Sequence, residues 1–537
     1  MTLIKGRLIN VSNRLPVLIR NSASGARVER SSGGLATALN AAWRHQPGVW
    51  IGWAGPGQGS EVDHLLAKAS RRRFHTLQAV ALSEEEIAKF YSGFANEIIW
   101  PLFHDMPSLC KFDPDYWEAY QRVNRKFAQA AASTATDDDF IWVHDYHLMS
   151  VARYLREAGS HARMGFFLHI PFPAPDIFEK LPWRQCILKS LLQFDLIGFQ
   201  TDRDRNNFVS CLERLLPEAT VEQNHPHMLA SMQGHQAVVG TFPISIDFEE
   251  FAVPAAHPDV ATRAANIRKQ LLDNVLVLGV DRMDYTKGIP ERLKSFRLLL
   301  RRFPELRRQI TLVQVVVPSR EEIPNYKELR LEVELLVSQI NGEFTESGWV
   351  PIHYMHRNLG RAELLAYYRA ADIALITPLK DGMNLVAKEF CAAQADERGV
   401  LIVSEFAGAG PELRHGAILV NPNDFAGVAQ AIHDACMMTT EEKRSRMRLL
   451  RNIVKDHNVQ RWARSFLQAA LPADTQSPFA KSGSGGSSSS ITIRKQPAGE
   501  IPGVALVAAS AARTHGSIHY LGTPHSLRRT GTAHGDD

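Results

Sequence analysis

Short apolar runs and longer amphipathic stretches take turns along this chain. Residues 7–11 (RLINV), 49–53 (VWIGW), 140–143, 164–168 and Leu196–Phe199 are brief and almost wholly apolar, which reads as buried strand. The same signal returns at residues 275–280 (VLVLGV), Ile310–Val317, 350–355, Ile373–Ile376 and Val400–Ser404. Helical spacing fills the intervals: a helix opened by Gly33-Gly34, then residues 289–301, 326–340 and 362–370, then a helix starting at Leu385. Ser83 followed by Glu86 has the form of a helix N-terminal capping box. Alternating strand and helix predicts parallel, doubly wound α/β sheets. The pattern restarts near Gly240, which predicts two Rossmann-like domains, residues 1–240 and 241–472, facing each other across a cleft, with the last helix free to pack back on the first domain. Beyond residue 472 the periodicity stops. The segment SGSGGSSSS is linker-like, and residues 473–537 are expected to form a low-complexity, disordered or loosely attached tail.

The polar residues that interrupt this pattern collect where the strands end. Arg14 follows the first strand, His144-Asp145-Tyr146-His147 the one at 140–143, and His169 the one at 164–168. Arg282 and Lys287 follow 275–280, Arg320 follows Ile310–Val317, and TPLKDGMNLVAKE follows Ile373–Ile376. Open α/β sheets bind ligands at the carboxyl ends of their strands. A helix that starts there points unpaired N–H groups outward and attracts anions. Gly33-Gly34 and Gly382 stand at two such turns. The aromatic-rich stretch 98–117 fits a sugar-binding wall or a core cluster. Asp113-Pro114-Asp115 reads as a turn or helix start and Asp137-Asp138-Asp139 as a solvated turn. The stretch 21–32 reads as a polar loop. His144, Asp145 and His147 lack a second ligand group at metal-binding spacing, so a hydrogen-bonding role is expected.

Composition narrows the class. A formal net charge of +4 spread along 537 residues argues against a nucleic-acid partner. Five scattered cysteines with no C-x-x-C pair fit reduced thiols, and no apolar run is long enough for a signal peptide or a membrane span. A cytoplasmic protein is expected.

With VSNRLP, SSGGLA, WPLFH, WVHDYHLM, FFLHIPFP, DLIGFQT, VDRMDYTKGIPER, QINGEF and TPLKDGMNLVAKE in this order, the chain resembles the trehalose-6-phosphate synthase family of retaining glycosyltransferases from residue 7 to about 471. The resemblance implies a GT-B fold, two facing Rossmann-like domains with the active site between them. It implies transfer of glucose from a nucleotide-glucose donor, UDP-glucose first, to glucose 6-phosphate, giving α,α-trehalose 6-phosphate. By the same resemblance Arg282 and Lys287 would hold the donor diphosphate. Gly33 and Gly34 would close over the donor, and Leu385, Val386, Ala387, Lys388 and Glu389 would form its helix-start site, with Glu389 on the ribose. Leu359 would lie beside the nucleobase, while His169 and Asp381 would hold the transferred glucose. Arg14, Asp145 and Arg320 would hold the acceptor, and the catalytic set would be Arg282, Lys287, Asp381 and His169. No metal or cofactor is implied, and the resemblance leaves both a monomer and a homo-oligomer open.

One position departs from the pattern. Asp105 stands after WPLFH where the family usually has a tyrosine whose hydroxyl helps hold the acceptor phosphate. An ionised carboxylate cannot donate that bond and repels phosphate. Either Asp105 turns away, paired with an arginine, or the loop serves another acceptor such as glycerol 3-phosphate, as in the glucosylglycerol-phosphate synthases. The first is expected, with Asp105→Tyr lowering or preserving KM for glucose 6-phosphate. A catalytically inactive sugar-phosphate sensor is a weaker alternative, because Arg282, Lys287, Asp381 and Glu389 are all present.

Overall fold

The computed structural model describes residues 6–22, 25–30, 34–42, 47–55, 60–70 and 75–470. Gly33 and the tail after residue 472 lie outside them. Among the described residues seventeen strands run in chain order: β1 Leu8–Arg14, β2 Val17–Ser22, β3 Gly25–Arg30, β4 Gly48–Trp53, β5 His75–Ala79, β6 Phe140–His144, β7 Arg163–Phe167, β8 Leu196–Phe199, β9 Thr220–Asn224, β10 His227–Met232 and β11 His235–Thr241, then β12 Val275–Arg282, β13 Ile310–Val317, β14 Ile352–His356, β15 Ile373–Ile376, β16 Val400–Ser404 and β17 Ile418–Val420.

Nine of them form the first sheet, in the order β5-β4-β1-β6-β7-β8-β11-β10-β9. It is parallel from β5 through β11, and only β10 and β9 turn antiparallel. The second sheet, β14-β13-β12-β15-β16-β17, is parallel throughout. Parallel strands are covered by helices on both faces, which is why their sequences are continuous apolar runs. The central strands bury their Val, Ile, Leu and aromatic side chains between helix layers, as in β6, β8, β15 and β16. Helix Pro114–Ala132 shows how a helix supplies its side: Tyr120, Val123, Phe127 and Ala131 recur at helical spacing and are fully buried. Burying each large apolar side chain stabilises by about 1.5–3 kcal/mol.

The predicted helix starts are built as their sequences imply. Ser83 and Glu86 make both bonds of a capping box. Asp113 accepts from Asp115 N–H at 2.9 Å, ahead of Pro114 at the first helical position.

Two local expectations are corrected. The stretch 21–32 is not simply a loop, because β2 and β3 pair antiparallel in register Val17↔Arg30 through Ser22↔Gly25. Val17 and Ile19 alternate inward on that hairpin and are buried. Asp139, expected in a solvated turn, is buried, with Arg7 Nη2 at 2.8 Å. Burial works to raise its carboxyl, but hydrogen bonds from Arg7 and Thr136 hold it at about 2.

The last helix among the described residues, Val459–Ala469, lies on the first sheet. Phe466 stacks on Trp142 of β6 with ring centroids 4.3 Å apart and nearly parallel planes. Gly165 and Gly198 leave the space its ring occupies. No helix among the described residues is long and apolar enough to cross a membrane.

Candidate active site

The carboxyl ends of strands from both sheets line one cavity of about 490 Å³. Arg14, Asp145 and His169 reach it from the first sheet, and Arg282, Lys287, Arg320 and Asp381 from the second. Backbone irregularity aims several of them. The register of β1 against β4 slips between Val11 and Arg14, and Ser12 Oγ donates to the Arg14 carbonyl at 2.8 Å. The bulge re-aims Arg14 into the cavity. Asp145, Arg320 and Asn384 are all left-handed, at φ 75°, 51° and 75°. Non-glycine residues pay for that conformation in steric strain, which folded proteins tolerate mostly where function needs it.

Three arginines, Arg14, Arg282 and Arg320, line the cavity. The guanidinium of Arg14 lies 4.9 Å from the centre of the Tyr91 ring and 5.0 Å from that of Trp53. Arg320 lies 4.1 Å from the centre of the Trp100 ring and donates to Tyr146 Oη at 3.3 Å and to Tyr326 Oη. Between Arg320 and Arg282 sits Asp284, wholly buried. Its carboxylate accepts from Thr286 N–H at 3.1 Å, Thr286 Oγ1 at 2.9 Å, Trp100 Nε1 at 3.4 Å and Arg320 Nη1 at 3.4 Å, with Arg282 Nη2 at 3.8 Å. Burial works to raise the Asp284 carboxyl, but Arg320, Arg282 and Lys287 hold it below the usual carboxylate range. Tyr91 comes from a π-helical stretch, Ile87–Ile99. Burial alone would push its phenol up, yet the charges of Arg320, Arg14 and Arg282 leave it below its ordinary value.

Lys287 Nζ lies 2.6 Å from Asp381 Oδ2, which also accepts from Asn384 Nδ2 at 3.2 Å. Burial opposes ionisation of Asp381, and Lys287 beside it outweighs that, so the carboxyl is held below its usual range. Asn384 caps helix Leu385–Ala393, its side chain accepting from Ala387 N–H at 3.1 Å. Leu385, Val386 and Glu389 of that helix face the cavity. Glu389 accepts from Tyr368 Oη at 2.9 Å, and burial raises its pKa. Gly382 is required where it stands, because a Cβ there would run into the His169 carbonyl oxygen.

His144, Asp145 and His169 also line the cavity. His169 Nε2 lies 3.1 Å from His144 Nδ1, and burial depresses both rings, His169 to about 3. Asp145 Oδ1 accepts from His169 N–H at 3.2 Å, and burial lifts the Asp145 carboxyl to about 7.

The structure therefore brings Arg14, Asp145, His169, Arg282, Lys287, Arg320, Asp381, Leu385, Val386 and Glu389 to one cavity, and sets other candidates apart. Ala387 and Lys388 lie beneath the helix start. Lys388 Nζ turns away to the Ile244 carbonyl at 3.0 Å and to Glu412 at 2.6 Å, so only the backbone there can serve a ligand. Leu359 is buried in the core and is not among the cavity-lining residues. Gly34 begins helix Gly34–Ala42, and Gly33 falls outside the described residues. Asp105 does not line the cavity either. It turns away as expected, but its partner is Lys380 and not an arginine. Residues the sequence reading did not single out for the site are Tyr91, Asp284, Tyr326 and Asn384. Among the described residues, no cluster of His, Cys, Asp and Glu is arranged to hold a metal.

Residues 6–471 match the family model of Glycosyltransferase family 20. A trehalose-6-phosphate synthase of Mycolicibacterium paratuberculosis is 43% identical over 465 residues, 86% of this chain and 94% of that protein. A crystal structure of a UDP-forming alpha,alpha-trehalose-phosphate synthase from Burkholderia xenovorans, in complex with glucose-6-phosphate, superposes with a TM-score of 0.79 at 35% identity, covering 87% of this chain and all of that one. An E. coli trehalose-6-phosphate structure bound with UDP-2-fluoro glucose gives a TM-score of 0.78 at 34% identity, over 87% and 99% of the two chains.

Proposed function

Because the chain belongs to glycosyltransferase family 20, we propose that its cavity joins two phosphorylated substrates and moves glucose between them. The enzyme is a retaining trehalose-6-phosphate synthase of GT-B fold. It transfers glucose from a nucleotide-glucose, UDP-glucose first, to glucose 6-phosphate. The observation that carries this reading is the convergence of Arg14, Arg320, Arg282 and Lys287 on one cavity that also holds the start of a helix. Arg14 and Arg320, with Tyr91, form a phosphate-sized cluster. Arg282, Lys287 and the start of helix Leu385–Ala393 form the second anion site, placed for a diphosphate.

In this reading the acceptor's 6-phosphate lies against Arg14 and Arg320, and Asp145 accepts from an acceptor hydroxyl. His169 and Asp381 hold the hydroxyls of the transferred glucose, and Glu389 takes the ribose. Chemistry rests on positioning and on stabilising the departing charge. The acceptor's anomeric oxygen attacks C1 of the donor glucose from the face the diphosphate leaves. The C1–O bond breaks with its electron pair going to the diphosphate, and the acceptor's hydroxyl proton passes to a departing phosphate oxygen. Arg282 and Lys287 compensate the charge that accumulates there. Retaining glycosidases instead place a nucleophilic carboxylate against the anomeric carbon. Asp381 is engaged by Lys287 and Asn384, and Asp145 by the His169 amide, so both fit hydroxyl binding better.

The two sheets would act as two domains, residues 1–240 and 241–472, with the cavity between them. The five unpaired cysteines fit a reducing cytoplasm. The test is a product assay with UDP-, GDP- and ADP-glucose against glucose 6-phosphate and glycerol 3-phosphate. The expected outcome is trehalose 6-phosphate, with glucose 6-phosphate the better acceptor by kcat/KM. A clear preference for glycerol 3-phosphate would overturn the acceptor assignment.

A further inference from the structure

Asp105 and Lys380 meet outside the cavity, from opposite sides of the cleft. Asp105 follows the short helix Trp100–Phe103 of the first half, in a left-handed turn at φ 61°. Lys380 belongs to the loop between β15 and helix Leu385–Ala393, directly before Asp381. The lysine side chain is 10% exposed and the aspartate 46%, and they form a direct hydrogen-bonded ion pair. The loop has anchors on both sides. Leu379 N–H donates to the Thr286 carbonyl at 2.8 Å, within the second half. Gly382 lies so close to the His169 carbonyl that no side chain fits, which presses the loop on the first half. Lys380 is thus the charged fastening between those two points. A nearly buried ammonium needs a counter-charge. Asp105 supplies it by direct contact, and the buried Asp204 only at longer range.

We propose that the Asp105–Lys380 ion pair is a cross-cleft latch. It holds the loop carrying Asp381 in its substrate-binding position, and so sets the affinity for both substrates. The latch rests on the reading of the cleft as a glucosyl-transfer site. Neither residue touches a reacting atom, so both are positioning residues. If the loop must be seated for binding, the apparent dissociation constants rise as the seated fraction falls. A partly exposed pair shifts such a balance by a factor of about five. Bound substrates reseat the loop, so turnover at saturation is largely retained. The pair also reverses an expectation made from sequence. A tyrosine at 105 has no charge to offer Lys380, so Asp105→Tyr raises KM instead of preserving it.

The experiment compares the parent enzyme with Asp105→Asn, Asp105→Tyr, Lys380→Met and the exchanged pair Asp105→Lys with Lys380→Asp. Steady-state kinetics are read against donor and acceptor, and Kd for UDP-glucose by calorimetry. The single variants are expected to raise both KM values and the Kd about fivefold, with kcat within about twofold. The exchanged pair is expected to recover more than half of that loss. Unchanged KM and Kd in Asp105→Asn would overturn the latch. So would a fall in kcat with KM intact, or an exchanged pair no better than the single variants. A parent enzyme that transfers no glucose would count against the reading of the cleft, while the Kd comparison would still decide the latch.

Discussion

Lys287 Nζ stands 2.6 Å from Asp381 Oδ2, with both side chains largely enclosed. Each therefore neutralises the other. The half-exposed Arg282, by contrast, stands with its nearest carboxylate, Asp284, at 3.8 Å. The two cations proposed for the donor diphosphate should therefore respond differently to removal. Arg282→Ala is expected to lower kcat by about 10²–10³, on the order of 3 kcal/mol of barrier, with the melting temperature nearly unchanged. Lys287→Ala should lose turnover similarly and also lose stability, because it leaves a buried carboxylate uncompensated. Near-normal kcat in a folded Arg282→Ala enzyme would remove the diphosphate assignment.

Asp284 ties Arg320 to Arg282. It is fully buried and faces Arg320 at 3.4 Å, Arg282 at 3.8 Å and the Trp100 indole at 3.4 Å. Asp284→Asn keeps the shape and removes the charge that holds both arginines. The expected cost is about 3–5 kcal/mol of unfolding free energy in urea. KM should rise for donor and acceptor together, since one carboxylate orients an arginine proposed for each. A rise confined to one substrate would show that Asp284 serves only one arginine.

The parts legible in the sequence share a cause. Arg282, Lys287, Asp381 and Glu389 stand after uninterrupted apolar strands, and a parallel sheet puts such residues at one edge. Tyr91 lies inside an apolar helical stretch, where nothing in its spacing separates a cavity residue from a core one. Asp105 and Lys380 are 275 residues apart, and a pair at that separation is fixed only by how the sheets meet. Asp145, Arg320 and Asn384 adopt left-handed backbone without being glycine, so the strain leaves no mark in composition. The direction of the Lys388 side chain is set locally: its helix position turns it beneath the cavity toward Glu412. The hairpin of β2 and β3 was hidden because its polar residues outnumber the inward Val17 and Ile19.

Burial of neutral histidines gives stability a signed pH dependence. His169 is depressed to about 3 and His104 to about 4, both mainly by burial. In the unfolded chain each titrates near its ordinary value of about 6.5. Between those limits the unfolded state holds more protons, so stability falls as pH drops below about 6.5. The slope is up to about 1.4 kcal/mol per pH unit for each histidine. Asp145 works the other way: its carboxyl, raised to about 7, favours the folded state at low pH and loses that contribution as pH rises toward 7. His144 and His147, also depressed by burial, add to the histidine side, while Glu389 and Asp204, raised by burial, add to that of Asp145. Urea unfolding of His169→Asn between pH values of about 4 and 6.5 should show the slope reduced by about one proton. An unchanged slope would mean that His169 takes up its proton in the folded protein.

The helix Val459–Ala469 links the far end of the described chain to the strands that carry Asp145 and His169. Phe466 stacks on Trp142 at 4.3 Å, and Trp462 meets Phe167 edge-on at 5.2 Å and His169 at 6.2 Å. Phe466 is wholly buried, so Phe466→Ala is expected to cost about 3–5 kcal/mol through lost burial and the cavity left behind. Gly198→Ala attacks the same contact from the sheet. Its new Cβ would stand 2.7 Å from the Phe466 ring and 2.8 Å from that of Phe167, an overpacking expected to cost about 1–3 kcal/mol. Both variants should also raise KM for the substrates, since Trp142 and Phe167 lie just before the strand ends that hold Asp145 and His169. The check is thermal unfolding alongside steady-state kinetics. The two losses should be less than additive in the double variant, because the smaller side chain at 466 makes room for the methyl at 198. Full additivity would show that helix and sheet do not share this contact.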